Sequence, residues 1–230
     1  VHYTNGTVIP VERDYRREYP FRNVRLAVDG FSLSPLVNGP RQKYSYTTRG
    51  YILLSAAVQE VGGQKFATQV HRRIARPCGM MTLQPDYQWK HIPNRAVGYR
   101  KAEDKIVPST DTDVSWKLGG GGFISSITDL ARYGVGLLEG TLVSAETEKL
   151  MWTPQATADG TQTTYGLGFQ IFNPENPRVL GHGGAQEKTR TVLVLSPESQ
   201  TGVVVMSNCE YANPNRFAQI LLPLLTPAAE

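Results

Sequence analysis

Two short stretches of this sequence decide its fold: KYSYTTRGY, which spans 43–51, and GHGGA, which spans 181–185. The first places Tyr46 at the mouth of a turn. The mostly apolar run that follows ends at a Gly-Gly pair and predicts a buried helix over 51–61. The second stretch places His182 and two glycines just before a predicted strand. We therefore expect a helical part that contains the first stretch and a sheet that follows the second.

The spacing of apolar residues changes from helical to strand-like near residue 163. Before this point, helices are predicted within 22–31, over 65–76, after the capping residue Ser126, and near 144–151. A return to helical spacing predicts one last helix at 214–225.

Three strands are predicted in the C-terminal part, at 165–172, 189–195 and 201–207. A short turn joins the last two, which favours an antiparallel hairpin. Residues 82–118 are expected to be loops, and the glycine run Gly119–Gly122 predicts a flexible hinge.

The order of helices, then strands, then a helix indicates an α+β fold in one domain spanning 1–230. Residues 1–160 are expected to be mainly helices and loops, and 161–230 to hold the C-terminal strands and the closing helix. A chain of 230 residues with 40% hydrophobic and 19% charged residues has an ordinary globular composition and is long enough to bury a sizeable core.

Composition and spacing argue against several classes of partner. The net charge of +4 comes from scattered residues, so no nucleic-acid partner is expected. No segment approaches the length of a membrane span. Cys78 and Cys209 are expected to be buried free thiols rather than a disulfide. No metal is expected, because metal-ligand spacing is absent from the four histidines, which are at positions 2, 71, 91 and 182.

Four phrases occur in order along the chain. They are PRQKYSYTTRGYILLS at 40–55, RPCGM at 76–80, GGGFISSITDLAR at 120–132 and GHGG at 181–184. Together they resemble the serine β-lactamase and penicillin-binding superfamily, in particular its class C β-lactamase-like peptidases and esterases, including the LACTB-like group. The resemblance implies the β-lactamase/transpeptidase-like fold, an antiparallel sheet flanked by a helical region. It also implies a serine hydrolase that cleaves a small ester, amide or peptide through an acyl-enzyme, without a cofactor.

The second motif of that superfamily contains a tyrosine that helps to deprotonate the serine and then protonates the leaving group. The spacing to Gly50 and Tyr51 assigns this role to Tyr46 rather than to Tyr44. A phenol has a pKa near ~10, so it needs nearby positive charge to act as a base near neutral pH. Thr48 stands where many relatives have asparagine, and its hydroxyl still donates one hydrogen bond to a substrate carbonyl.

The third motif of the superfamily contains a lysine, which His182 replaces here. An imidazole with an ordinary pKa near ~6.5 is mostly neutral at pH 7, so we expect weaker recognition of carboxylates and a preference for esters, amides or other peptides. Gly183 and Gly184 are expected to let the strand backbone approach the substrate. The resemblance implies that the backbone N–H of Ala185 is one half of the oxyanion hole.

Two further residues depart from the pattern of the superfamily, in which small residues stand at these positions. Lys188 and Arg190 lie beside the cleft in the superfamily layout. They either restore some affinity for anions or line a solvated edge of the sheet.

The first motif of the superfamily, Ser-x-x-Lys, carries the nucleophile, and no serine of this chain has a lysine three positions later. We therefore expect the chain to be the C-terminal portion of a hydrolase, lacking the N-terminal strands and the nucleophile helix with Ser-x-x-Lys. The alternative is a non-catalytic binding or filament-forming homologue. The sequence does not fix the compartment, with a periplasmic or secreted location slightly favoured.

Overall fold

The computed structural model describes residues 23–175 and 178–225, and it has an α+β architecture. Its helices are α1 (Val24–Asp29), α2 (Thr48–Gly62), α3 (Phe66–Val70), α4 (Leu118–Gly121), α5 (Ile127–Leu138), α6 (Ala145–Met151) and α7 (Pro214–Leu225). A turn of π-helix at His71–Ala75 extends α3, and a 3₁₀ turn at Ser115–Lys117 leads into α4. Each helix that the sequence predicts is therefore present.

Three short strands occur in the region 82–118, which the sequence predicts as loops, and they form two small sheets together with β4 (Phe123–Ile124), which follows that region. The sheets pair β1 (Gln84–Pro85) with β4, and β2 (Tyr99–Ala102) with β3 (Lys105–Pro108). The prediction of loops over 82–118 is therefore wrong in these places. The strands are only two or four residues long, which is too short for an alternating pattern to mark them.

The main sheet contains β5 (Gln170–Asn173), β6 (Val179–Gln186), β7 (Thr189–Ser196) and β8 (Thr201–Ser207). Its order is β5-β6-β7-β8, with every pair antiparallel, which confirms the predicted hairpin of the last two strands. The strand predicted at 165–172 begins only at Gln170. The prediction of three strands is also wrong, since 181–185 lies inside β6 rather than before a strand. Pairing with β7, rather than strand propensity, holds this glycine-rich segment extended.

The ends of α2 follow from its capping residues. The Thr47 hydroxyl accepts a hydrogen bond from the Gly50 N–H at 3.4 Å, and Gly63 ends the helix with φ +61 in the left-handed region. Ile52 and Ala56 are buried. The expectation of a mostly buried helix is nevertheless wrong, because four of its apolar side chains are exposed: Leu53, Leu54, Val58 and Val61. In the described part of the chain, α2 packs against α1, α3 and α4.

The glycine run Gly119–Gly122 is not a flexible hinge, because its first three residues belong to α4. A Cβ atom added at Gly119 would lie 2.5 Å from the Ser55 Cβ and 2.7 Å from the Tyr51 carbonyl oxygen. Only glycine lets α4 lie this close to α2. The run therefore serves close helix packing.

Apolar cores cover both faces of the main sheet. One core packs the sheet against α5 and α6, and its buried members are Leu137, Trp152, Phe169, Ile171, Leu180, Leu193 and Leu195. The other packs the sheet against α7, and its buried members are Val192, Val194, Val203, Ala218 and Leu222. Alternate residues of β7 contribute to the two cores, as expected for a strand covered on both sides.

Residues 23–175 and 178–225 contain neither a membrane-spanning helix nor a cluster of metal-ligating side chains. No helix there combines the length and the hydropathy needed to cross a bilayer. No group of three or more histidine, cysteine, aspartate or glutamate side chains could hold a metal ion there, and His2 lies outside these ranges. Cys78 and Cys209 are free thiols, and they are partly exposed rather than buried.

Asp129, in the first turn of α5, ties that helix to the segment after α3. Its side chain is 2% exposed and accepts hydrogen bonds from the N–H and the hydroxyl of Thr82, the latter at 2.7 Å, and from Arg132 at 3.0 Å. Burial acts to raise the pKa of the Asp129 carboxyl. The hydrogen bonds from Thr82 and Arg132 outweigh burial and lower the pKa overall.

Replacing Asp129→Asn should lower the free energy of unfolding by about 2 kcal/mol at pH 7, because charge-assisted hydrogen bonds to a buried carboxylate are lost. Because the pKa of Asp129 is lower in the folded than in the unfolded protein, its carboxylate stabilises the fold above the unfolded-state pKa of about 4. This stabilisation is lost as the pH falls through the folded-state pKa. The difference between the two proteins should therefore shrink below about pH 4. Urea unfolding of both proteins at pH 7 and below about pH 4 measures this difference in stability. The exposed Asp104→Asn variant is the control and should change stability by less than about 0.5 kcal/mol.

Candidate active site

Tyr46 and His182 lie on the walls of one small open pocket, with their ring centroids 5.9 Å apart. Tyr46 precedes the N-terminus of α2 and is 56% exposed, while His182 projects from β6. The pocket is lined by eight residues: Tyr46, Thr48, Tyr51, Gly119, Gly120, Tyr165, Gly168 and His182. The two stretches that decide the fold therefore meet at one site.

Both ring nitrogens of His182 make hydrogen bonds inside the protein. Nδ1 lies 2.6 Å from the carbonyl oxygen of Gly183, and Nε2 lies 2.8 Å from the hydroxyl oxygen of Tyr165. A carbonyl oxygen only accepts hydrogen bonds, so Nδ1 carries a proton. In the neutral ring Nε2 is then the acceptor, and the Tyr165 hydroxyl donates to it.

Two tyrosine rings, those of Tyr46 and Tyr165, lie beside the imidazole, and two more tyrosines contact Tyr165. The Tyr165 ring lies 5.7 Å from that of Tyr44 and 6.1 Å from that of Tyr46, and its hydroxyl shares a hydrogen bond with Tyr51. Burial, followed by the proximity of Tyr51, raises the pKa of Tyr46 above its ordinary value. No lysine or arginine lines the pocket among the residues that the structure describes. A Tyr46 base therefore requires a cation from elsewhere.

Thr48 lies in the first turn of α2, and its side chain borders the pocket next to α4. A Cβ atom added at Gly120 would lie 2.6 Å from the Thr48 Cγ2. The absence of a side chain at Gly120 thus makes room for Thr48. The hydrogen bond from Thr48 to a substrate carbonyl stays a prediction.

Gly183, Gly184 and Ala185 continue β6 beyond His182, but they are not among the residues that line the pocket. A Cβ atom added at Gly184 would lie 2.5 Å from the Thr191 Oγ1, so this glycine permits the close approach of β7. At Gly183 the nearest atoms would be at 3.7 Å and 3.9 Å, which are ordinary contacts. The oxyanion role of the Ala185 N–H and the substrate approach at the two glycines stay predictions.

A family model described as "Beta-lactamase" matches residues 7–226 of this chain. The chain belongs to the β-lactamase family. This match confirms the predicted serine β-lactamase and penicillin-binding superfamily.

Similar proteins in the family include peptidases and penicillin-binding protein homologues. The mitochondrial serine β-lactamase-like protein LACTB of Homo sapiens is 31% identical over 218 residues, covering 83% of this chain and 40% of that protein. The D-aminopeptidase of Gluconobacter oxydans is 27% identical over 205 residues, covering 89% of this chain and 38% of that protein. This β-lactamase-family chain thus spans about 40% of the length of these relatives.

The fold of the family is visible in solved structures as well. The octameric penicillin-binding protein homologue from Pyrococcus abyssi matches with a TM-score of 0.76 at 24% identity, over 90% of this chain and 48% of that one. A D-stereospecific amidohydrolase from Streptomyces matches with a TM-score of 0.72 at 18% identity, over 88% of this chain and 62% of that one. These likenesses confirm the β-lactamase/transpeptidase-like fold.

Lys188 and Arg190, which are expected to lie beside the cleft, are engaged with neighbouring groups. Lys188 forms an ion pair with Asp111. Arg190 donates hydrogen bonds to the carbonyl oxygens of Gln186 and Thr189. Both cations are therefore held by protein groups at the β6–β7 turn, and their affinity for anions stays untested.

The motifs of the family do not reveal every residue of the pocket. Tyr165 falls at the start of a predicted strand, and Tyr51 falls in a predicted core helix, so neither pattern marks a site. A local signal for Tyr165 does exist, since the glycines Gly166 and Gly168 follow it closely and break any regular strand. Its contact with His182 becomes visible only in three dimensions.

Two glycines of β6 should respond differently to alanine. A Cβ atom at Gly181 would lie 2.0 Å from the Leu193 carbonyl oxygen, so Gly181→Ala forces the backbones of β6 and β7 apart. We expect this variant to lose about 3 kcal/mol of stability. The matched variant Gly183→Ala meets only ordinary contacts and should change stability by less than about 0.5 kcal/mol. Chemical denaturation of both measures the contrast, and equal losses would show that this account of β6 is wrong.

Proposed function

We propose that this chain forms part of a serine hydrolase that cleaves small esters, amides or peptides through an acyl-enzyme. The observation that supports this most is the shared pocket of Tyr46 and His182, with Thr48 at its rim. In this proposal Tyr46 is the proton-transfer group and the β6 segment after His182 faces the substrate. The D-aminopeptidase relative agrees with such a substrate class.

The proposed reaction takes its nucleophile from a Ser-x-x-Lys segment outside these 230 residues, expected to lie N-terminal to them. The Tyr46 oxygen, as phenolate, accepts the proton of the serine hydroxyl while the serine oxygen bonds to the substrate carbonyl carbon. The protonated Tyr46 then gives that proton to the leaving alcohol or amine as the acyl bond breaks. Hydrolysis of the ester that remains returns the serine.

The lysine of the same segment would supply the positive charge that Tyr46 lacks. Burial and Tyr51 raise the pKa of Tyr46, so its phenolate is scarce near neutral pH in the described surroundings. An ammonium group within a few ångströms favours the phenolate and offsets both effects. The Ser-x-x-Lys segment would therefore supply two groups that the reaction needs, the serine nucleophile and the lysine cation.

The walls of the pocket favour a neutral substrate group. The lining residues carry hydroxyl groups, glycine backbone, aromatic rings and an imidazole whose two nitrogens are already bonded. A carboxylate placed here would lose hydration without gaining an ionic partner. We therefore assign the pocket to uncharged acyl groups in preference to carboxylate-bearing β-lactams.

In the protein that carries the Ser-x-x-Lys segment, Tyr46→Phe should lower kcat for p-nitrophenyl acetate by about 10²-fold or more, because it removes only the proton-transfer hydroxyl. Tyr44→Phe is the matched control and should lower kcat by less than about tenfold. The chain of 230 residues alone should show no turnover above background. Equal effects at both tyrosines would place the base elsewhere. Absence of turnover in the complete protein would favour a binding or filament-forming role.

His182→Lys should shift specificity toward carboxylate-bearing substrates. A lysine is a permanent cation on a flexible stem at pH 7, and an ion pair at a partly exposed site is worth about 1 kcal/mol, or about five-fold in relative kcat/KM. The measurement is the ratio of kcat/KM for a penicillin to that for a neutral short-chain ester. An unchanged ratio would mean that the side chain at position 182 does not face the substrate.

A further inference from the structure

Tyr165 makes more contacts at the site than any sequence motif suggests. Its side chain is 3% exposed, and its hydroxyl reaches His182 Nε2 at 2.8 Å. The two rings are nearly perpendicular, at 89°, with centroids 5.9 Å apart. The Tyr165 hydroxyl therefore meets the edge of the imidazole in a geometry suited to a hydrogen bond.

The backbone around Tyr165 holds this side chain in place. The Tyr165 carbonyl oxygen accepts a hydrogen bond from the Gln155 N–H at 2.9 Å, and its N–H donates to the Thr163 hydroxyl at 3.2 Å. A bridge to Gln170 joins the same residue to β5. The backbone N–H and C=O of Tyr165 are thus both hydrogen-bonded, and its ring is buried among aromatic neighbours. These contacts hold the Tyr165 hydroxyl in one orientation.

The direction of the hydrogen bonds follows from the chemistry of each group. Nδ1 of His182 donates to the Gly183 carbonyl, so Nε2 of a neutral ring carries no proton and is an acceptor. The Tyr165 hydroxyl therefore donates its hydrogen bond to Nε2. The Tyr165 hydroxyl also shares a hydrogen bond with Tyr51.

We propose that Tyr165 is the positioning residue of His182: its hydroxyl fixes the imidazole as the neutral Nδ1–H tautomer and excludes Nε2 from substrate contact. This inference rests on the hydrolase proposed above, in which the pocket wall formed by His182 is then uncharged. Tyr165 thereby selects acyl donors that carry no carboxylate beside the scissile bond. Its hydroxyl touches no reacting atom and acts only through His182.

The positioning role has a spectroscopic test that needs no activity. In ¹⁵N NMR spectra of the chain, with the imidazole signals assigned by His182→Gln, we expect a protonated Nδ1 and an unprotonated, hydrogen-bonded Nε2. Tyr165→Phe keeps the ring and removes the hydroxyl, so the Nε2 signal should move toward that of an unbonded imidazole nitrogen. Tyr44→Phe, whose ring also contacts Tyr165, should leave both signals in place.

A wild-type spectrum with a proton on Nε2 would overturn the inference, as would an Nε2 signal unmoved by Tyr165→Phe. If Tyr165→Phe does not fold, the wild-type spectrum still tests which nitrogen of His182 carries the proton.

The specificity consequence is measured in the protein that carries the Ser-x-x-Lys segment. The substrates are an ester with a carboxylate beside the scissile bond and its neutral methyl ester. In Tyr165→Phe no hydroxyl occupies Nε2, so Nε2 can take up a proton and pair with the substrate carboxylate, and the ratio of kcat/KM, charged over neutral, should rise by about five-fold. Tyr44→Phe should leave that ratio unchanged. An unchanged ratio in Tyr165→Phe overturns the selection by charge. Turnover lacking in every variant overturns the hydrolase proposal instead, and the NMR result still decides the positioning role.

Discussion

The pocket depends on how closely α4 approaches α2. Because Gly119 and Gly120 carry no side chain, a single turn of helix rests directly against the first half of α2. This contact fixes the N-terminal end of α2 and, with it, Tyr46 and Thr48 on one wall of the pocket. Pairing between β6 and β7 places His182 on the other wall. A side chain at either glycine would push α4 away from α2 and from this wall.

The helices could be predicted because their signals are local. Ser126, predicted as a capping residue, accepts a hydrogen bond from the Asp129 N–H in the first turn of α5, and the Gly-Gly pair ends α2 as predicted. The signal for the β7–β8 hairpin is local as well, since alternating apolar residues and a short turn mark it within one stretch of sequence. Tyr46 and His182 were predicted from the ordered motifs, and the structure brings them into one pocket.

Other features arise from contacts between distant segments, and the local sequence indicates them weakly or wrongly. The segment 181–185 has few strand-forming residues, and it is extended because seven residue pairs join β6 to β7. The glycine run before β4 has the composition of a hinge, yet tertiary packing makes it helical. Tyr165 belongs to the site because its hydroxyl meets Nε2 of His182, seventeen positions later. Neither spacing nor periodicity encodes that contact.

A bound tetrahedral adduct would show most directly whether Tyr46 and the β6 backbone form a hydrolase pocket. The measurement is a crystal structure of the protein with its Ser-x-x-Lys segment, soaked with an aryl boronic acid that bonds to the serine oxygen. We expect one boronate oxygen about 3 Å from the Tyr46 hydroxyl and another about 3 Å from the Ala185 N–H. A boronate that occupies another part of the surface, or that reaches neither group, would contradict the assignment of this pocket to acyl transfer.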